Sequence, residues 1–297
     1  MGVGFALMTA MFYGFANVYS RKASKNVSGL DAIALTVGLN ALFFVPAALL
    51  IKWIQGTPWP DWITLSLYFC SGIFSIFLGR WGLYNAILFM GPSRASMIKN
   101  SAPVFTILLA AIFFGRWPSF LPLMGIVIIL LAIWLLGFQN KEGIAAQSVN
   151  ETWNKGMVLG ILVAVTFAVS DVIRALSMQR VPDLVVATGV SILGGWAAMF
   201  ILLMAKGRAL STYKKHWNSL NYDLVMTSLF AGLAQISAFV AVLYLFVPYA
   251  SALIATAPLF TALFSMLLAE GDERFGIRFW ASMSLFMAGG TFIILFK

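Results

Sequence analysis

Apolar runs long enough to cross a lipid bilayer, such as "IALTVGLNALFFVPAALLI" (33–51), follow one another along almost the whole chain. Nothing constrains the fold more. In hydrocarbon every backbone N–H and C=O must be satisfied within the protein, which leaves helices of about 20 residues or closed barrels. Strict apolar/polar alternation is absent, so a barrel is disfavoured. Ten helical segments are expected, near 2–20, 31–51, 62–89, 94–115, 119–138, 156–179, 183–205, 222–246, 249–269 and 276–296. Hydrophobic residues make up 61% and charged residues 10%, against roughly 25% charged in a soluble chain. The reading is an all-α integral membrane protein, multi-pass and surrounded by a lipid bilayer.

The first charge, Arg21, follows the first apolar run, so a cleaved leader is not expected. One cysteine (Cys70) and one histidine (His216) exclude an intramolecular disulfide. They also argue against haem, iron–sulfur and zinc sites, and no metal or cofactor is expected. No phosphate loop, paired catalytic carboxylates or Ser/His arrangement appears, so the chain does not read as an enzyme. The net charge of +9 is read as basic loops at one membrane face rather than as a nucleic-acid surface. With the N-terminus outside, inside loops hold Arg21, Lys22, Lys25, Lys141, Lys155, Lys206, Arg208, Lys214, Lys215, Arg274 and Arg278. Lys52, Arg116, Arg180 and Lys297 then lie outside, which favours both termini outside.

The chain also repeats itself. "FSIFLGRWGLYNAILFMGPSRASMIKNSAPVFT" (74–106) aligns without a gap on "LFAGLAQISAFVAVLYLFVPYASALIATAPLFT" (229–261). An offset of 155 residues superimposes Ala86 on Ala241, Ser96 on Ser251, and Ala102-Pro103 on Ala257-Pro258. Two units follow, residues 1–138 and 156–297, joined by a polar linker at 139–155. With five helices in each, the second copy enters the membrane from the opposite side. Such inverted-topology repeats suit alternating access around a midplane site.

Two halves that each turn into "GPSRAS…APVFT" or "VPYAS…APLFT" resemble the EamA-type domains of the drug/metabolite transporter superfamily over essentially the whole chain. The resemblance implies a ten-helix carrier of small metabolites, often exported. Its central cavity would be lined mainly by helices 1, 3, 4, 6, 8 and 9. It also implies termini inside, against the charge count, and the sequence leaves both orientations open. Family repeats close the fourth helix with Gly-Glu; here the first half reads Gly115-Arg116, while the second keeps Glu270 after Ala269.

Charges inside spans mark candidate sites, because one at the centre of a lone helix costs about 2.5–3.5 kcal/mol. Arg80 and Lys99 lie on either side of a turn near 89–91, each roughly 13–15 Å from it and so at one depth. One reading is an anion clamp for a substrate carboxylate or phosphate. The other is pairing with Asp171, or snorkelling to the interface. At the 155-residue offset stand Gln235 and Ile254, so the positive cluster is one-sided. Asp171 and Arg174, three apart on helix 6, share a face and can pair. Alternatively Asp171 carries a proton, since burial favours the neutral carboxyl.

Asn100 precedes Pro103 as Thr256 precedes Pro258, and each proline removes a helix hydrogen bond. The freed backbone and its neighbours can contact solute or merely mark a bend. Tyr13, Trp81 and Tyr84 are further candidates for the cavity wall. Trp53, Trp59 and Trp62 read as an interface belt. Gly156 and Gly160 permit close packing of helix 6.

The expected function is a secondary exporter or exchanger of a small anionic or zwitterionic metabolite, such as an amino acid, in a bacterial inner membrane. A phosphorylated solute is the alternative substrate class, and a non-transporting membrane subunit or receptor the alternative from another class. Protons or a counter-substrate would drive transport, and both monomer and homodimer stay open.

Overall fold

The computed structural model describes residues 1–23, 27, 29–90, 92–137, 151–217, 220–268 and 277–296. Lys25, Lys141 and the rest of 138–150, Glu270, Arg274 and Lys297 lie outside them. All regular structure among the described residues is helical. α1 (Gly2–Ala23) and α2 (Gly29–Gln55) come first. α3 (Trp62–Gly72) runs through a π-helical stretch (Ile73–Gly79) into α4 (Arg80–Met90). There follow α5 (Pro92–Lys99), α6 (Ala102–Phe114), α7 (Phe120–Gly137), α8 (Glu151–Arg180) and α9 (Leu184–Ala205). The chain closes with α10 (Ala209–Trp217), α11 (Tyr222–Tyr244), α12 (Val247–Ile254), α13 (Ala257–Leu267) and α14 (Ile277–Phe296).

Seven helical stretches are long and apolar enough to cross a membrane: Gly2–Ala23, Gly29–Gln55, Trp62–Phe89, Lys155–Arg180, Leu184–Ala205, Tyr222–Tyr244 and Val247–Leu267. Ala102–Phe114, Phe120–Leu135 and Trp280–Phe296 are shorter apolar helices. The protein is therefore an integral multi-pass membrane protein.

Three features differ from a reading of uninterrupted spans. The segment expected at 94–115 is two helices, because the chain turns at Asn100-Ser101 and α6 restarts with Pro103 in its first turn. The segment expected at 249–269 breaks in the same way, with α13 carrying Pro258 in its first turn after Thr256. Proline is tolerated there because a first-turn N–H has no helical partner to lose. Finally, the polar stretch 206–221 contains α10, whose apolar face carries Ala209 and Tyr213 while Lys214 is exposed.

Lipid offers helices no hydrophobic drive to associate, so close contact and polar bonds hold the bundle. α1 packs on α11 and α13, while α8 packs on α3, the π stretch, α4 and α6. α2 lies against α9, and α7 against α14. At that last crossing a Cβ on Gly125 would meet the Gly289 carbonyl oxygen at 2.6 Å, and one on Gly289 would meet Gly125's at the same distance. Gly160 faces Ile98 of α5, so this glycine serves packing inside the bundle.

Ion pairs mark the two ends. Arg180 grips Asp61 at 3.0 Å and Lys52 grips Asp183 at 2.6 Å at one end. Arg208 meets Asp31 at 3.2 Å at the other. Trp53, Trp59 and Trp62 are exposed near the first end, as an aromatic belt requires.

Candidate functional site

Deep in the bundle, Arg174 of α8 ties three elements together. Its Nη1 donates to Asp171 Oδ1 at 3.3 Å, one turn earlier on the same helix. Its Nη2 donates to Ser75 Oγ of the π stretch at 2.9 Å and to Gln235 Oε1 of α11 at 2.5 Å. Its guanidinium lies 5.4 Å from the centroid of the Phe239 ring, close enough for a cation–π attraction. Arg174 is 3% exposed and Gln235 1%, so these bonds replace water entirely. Two donors remain over: Arg174 Nε and Gln235 Nε2 have no hydrogen-bond partner among the described residues.

α12 approaches the knot as well, its Ser251 hydroxyl lying within electrostatic reach of Asp171. Thr106 of α6 in turn donates to Ser251 Oγ at 3.3 Å. The π stretch matters here, because a π turn shifts the register of the side chains that follow it and is common at functional sites. Ser75 of this stretch reaches Arg174, while the carbonyl of Ser71, in the last turn of α3, accepts from Ser170 at 2.8 Å.

Arg80 and Lys99 behave differently from Arg174. Among the described residues neither has a carboxylate within ion-pair distance. Lys99 Nζ sits 4.9 Å above the Phe167 ring of α8. It lies within electrostatic reach of both the Asp171 carboxylate and the Arg80 guanidinium. Arg80 in turn interacts with Tyr13 of α1. Two positive groups therefore stand near each other, and the acid within reach among the described residues, Asp171, is already bonded to Arg174.

The remaining candidates scatter around this centre. Asn100 is buried at the turn between α5 and α6, and its N–H bonds Ser96. Thr256 occupies the matching turn, its hydroxyl donating to the Leu253 carbonyl at 2.5 Å. Trp81 stacks on Phe77 at 6.1 Å. Tyr84 instead lies over Gly29, at the start of α2 and toward the bundle end.

Two participants escape sequence reasoning, and one buried amide stands outside the site. Ser75 and Ser251 look like any serine tolerated in an apolar run, and only the cross-helix distances reveal them. Asn40 carried a visible signal, being the sole carboxamide in its span. It is 0% exposed, and neither polar atom of its side chain has a partner among the described residues.

A family model described as the EamA-like transporter family matches residues 1–138 and 154–296. A solved structure titled "Crystal structure of protein" superposes with a TM-score of 0.75 at 15% identity, covering 100% of this chain and 99% of that one. At that identity the likeness shows a shared fold. A search of curated proteins finds no match.

Proposed function

The chain belongs to the EamA-like transporter family of the drug/metabolite transporter superfamily, and from that premise we propose that it is a secondary carrier of a small anionic or zwitterionic metabolite. The observation that carries this reading is the pair Arg80 and Lys99. Two cations kept in the bundle interior without an acid in ion-pair range among the described residues are costly. A substrate carboxylate between them would offset that cost. Arg80 would grip it in a fork and Lys99 would add a point charge. Asn100 and Thr256, at the two helix breaks, and Gln235 would supply neutral contacts, with Tyr13 and Trp81 as walls and Tyr84 nearer one mouth. Asp171, held by Arg174, would serve as the coupling group if protons drive the cycle.

Alternating access is supported by how the elements pair. Taking the broken spans α5–α6 and α12–α13 as single crossings gives ten in all. α1 on α11 then corresponds to α8 on α3 and α4, and α1 on α13 to α8 on α6. α7 and α14 pair with each other, as do α2 and α9. This pairing supports a reading as two inverted five-helix units related by a two-fold axis in the membrane plane. Export or exchange at a bacterial inner membrane is the expected physiological mode.

A phosphorylated solute is the second reading, favoured by three basic groups inside the bundle, Arg174 buried and Arg80 and Lys99 half-buried, set against one acid among the described residues, Asp171. A thermal-shift screen of purified protein against amino acids, organic acids and sugar phosphates tests both, because a ligand of the folded state raises its apparent stability. Stabilisation by carboxylates alone, lost in Lys99→Gln and Arg80→Gln, supports the first reading. Stabilisation by phosphates alone supports the second. Stabilisation by anions equally in all three proteins removes Arg80 and Lys99 from the site.

A further inference from the structure

Away from the interior site, α2, α9 and α10 enclose a cleft of about 250 Å³. Leu35, Leu39 and Leu42 of α2 form one wall, and Trp196 and Phe200 of α9 form the other. Tyr213 of α10 roofs it, its hydroxyl donating to the Ala34 carbonyl at 3.2 Å and its ring 6.3 Å from Phe200. From Leu35 to Leu42 the cleft runs about 10 Å along the helix axis. It opens sideways at Leu42, which is 53% exposed.

Basic residues lie beyond the Leu35 end of this cleft, where the start of α10 meets Asp31 one turn before Leu35. Lys206 caps the C-terminus of α9 and is exposed, Arg208 begins the turn into α10, and the exposed Lys214 follows Tyr213 directly. Asp31 at the start of α2 is the acid facing them, and it is already taken by Arg208 at 3.2 Å and Thr212 at 3.3 Å. Asp223 opens α11 on the same end of the bundle. Lys206 and Lys214 have no ion-pair partner among the described residues. An apolar slot of helical depth under an exposed pair of lysines matches one molecule in charge and polarity: a phospholipid with an anionic head group. A neutral apolar ligand would leave the lysines unused, and a soluble anion would leave the cleft unfilled.

We infer that this cleft is a binding site for a single anionic phospholipid, with one acyl chain lying between α2 and α9 beneath Tyr213 and the head-group phosphate held by Lys206 and Lys214. Each basic residue close to an anionic lipid surface adds roughly 1 kcal/mol of attraction. α10 would thereby be fastened to the bundle through the lipid as well as through Tyr213. The site is independent of the interior charges proposed for substrate.

Native mass spectrometry of the full-length protein, titrated with phosphatidylglycerol or with phosphatidylcholine, tests the inference. The wild type should retain one phosphatidylglycerol at about tenfold lower lipid concentration than it needs for phosphatidylcholine. Lys206→Gln with Lys214→Gln should abolish that preference. Leu42→Trp, at an exposed position where folding tolerates bulk, should weaken retention of both lipids by blocking the slot. Equal retention of the two lipids by the wild type, a preference that survives in the lysine variant, or retention undiminished by Leu42→Trp overturns the assignment.

Discussion

Arg174 donates to Ser75 at 2.9 Å, and the residues standing at the 155-residue offset from this pair, Tyr19 and Phe230, stack with ring centroids 5.9 Å apart. One contact is thus made twice, between α8 and the π stretch and again between α1 and α11. In the second copy it is entirely aromatic, since Phe15 also stacks on Phe230 at 4.9 Å and on Phe264 at 3.6 Å. The scaffold can therefore close this crossing without a buried ion pair, the nearby Lys22 ammonium lying over the Tyr19 ring at 5.3 Å. The polar knot occupies one of these two related crossings alone, so the fold itself does not require it.

That asymmetry gives a first prediction. Removing one member of a buried ion pair strands the other and costs about 3–5 kcal/mol, while replacing both by apolar residues is often neutral. Arg174→Met and Asp171→Leu should each lower the thermal midpoint in detergent sharply, and the double variant should recover most of the loss. A double variant no better than the worse single one would show that Ser75, Gln235 and Ser251 depend on the charges too. A double-mutant cycle of midpoints measures this.

Close approach between backbones gives a second. A Cβ on Gly72 would lie 1.7 Å from the Ser191 carbonyl oxygen and 2.5 Å from its carbon. Neither is the end of a flexible side chain, so α3 and α9 must separate. Gly72→Ala should cost about 1–3 kcal/mol, as overpacking does. Gly4→Ala serves as the control, because nothing lies within 4 Å of its Cβ. Its midpoint should match the wild type.

How much of this was readable beforehand follows from what decides each feature. The apolar runs were legible because lipid imposes length and composition on a helix directly. The Asp171–Arg174 pair was legible because three residues of helix return to the same face. The breaks before Pro103 and Pro258 showed as a residue pattern, yet their completeness did not. Whether proline bends a helix or starts a new one depends on the turn before it. α10 hid in a stretch whose polarity reads as loop, since its apolar face exists only against α2 and α9. Gln235 and Ser75 meet Arg174 across different helices, so their partnership is a property of packing that no local pattern records.

The α8–α9 connection carries a third prediction. Lys52 is 3% exposed and bonds Asp183 at 2.6 Å and Thr57 at 2.8 Å. Asp183 also caps α9, its Oδ1 accepting from Val186 N–H at 3.1 Å. Asp183→Asn can keep the cap but strands the lysine. Asp183→Ala loses both, adding the ~1 kcal/mol of a lost N-cap. Alanine should therefore be the more damaging replacement by about that amount, and Lys52→Met should erase the difference due to charge. Thermal midpoints of the four proteins decide it; equal losses for Asn and Ala would mean that the cap contributes nothing.

The last prediction concerns acid. Asp61 lies at the bundle end, where Arg180 hydrogen-bonds it and Thr64 donates to it at 2.5 Å, holding its carboxyl down at about 2. An unfolded Asp titrates near ~3.9. The folded form therefore binds its proton less readily than the unfolded one, and unfolding takes up protons as the pH falls between these two values. The stabilisation is fully present above about pH 4 and fades as the pH drops through about 2. Because the pair is solvent-exposed, the effect should be small, and salt should screen it. Asp61→Asn should lower the midpoint slightly at pH 7 in low salt. The gap from wild type should narrow toward pH 2 and shrink in molar salt. A gap that persists at pH 2 would assign the residue's contribution to the uncharged hydrogen bond with Thr64 instead of to the charge it shares with Arg180.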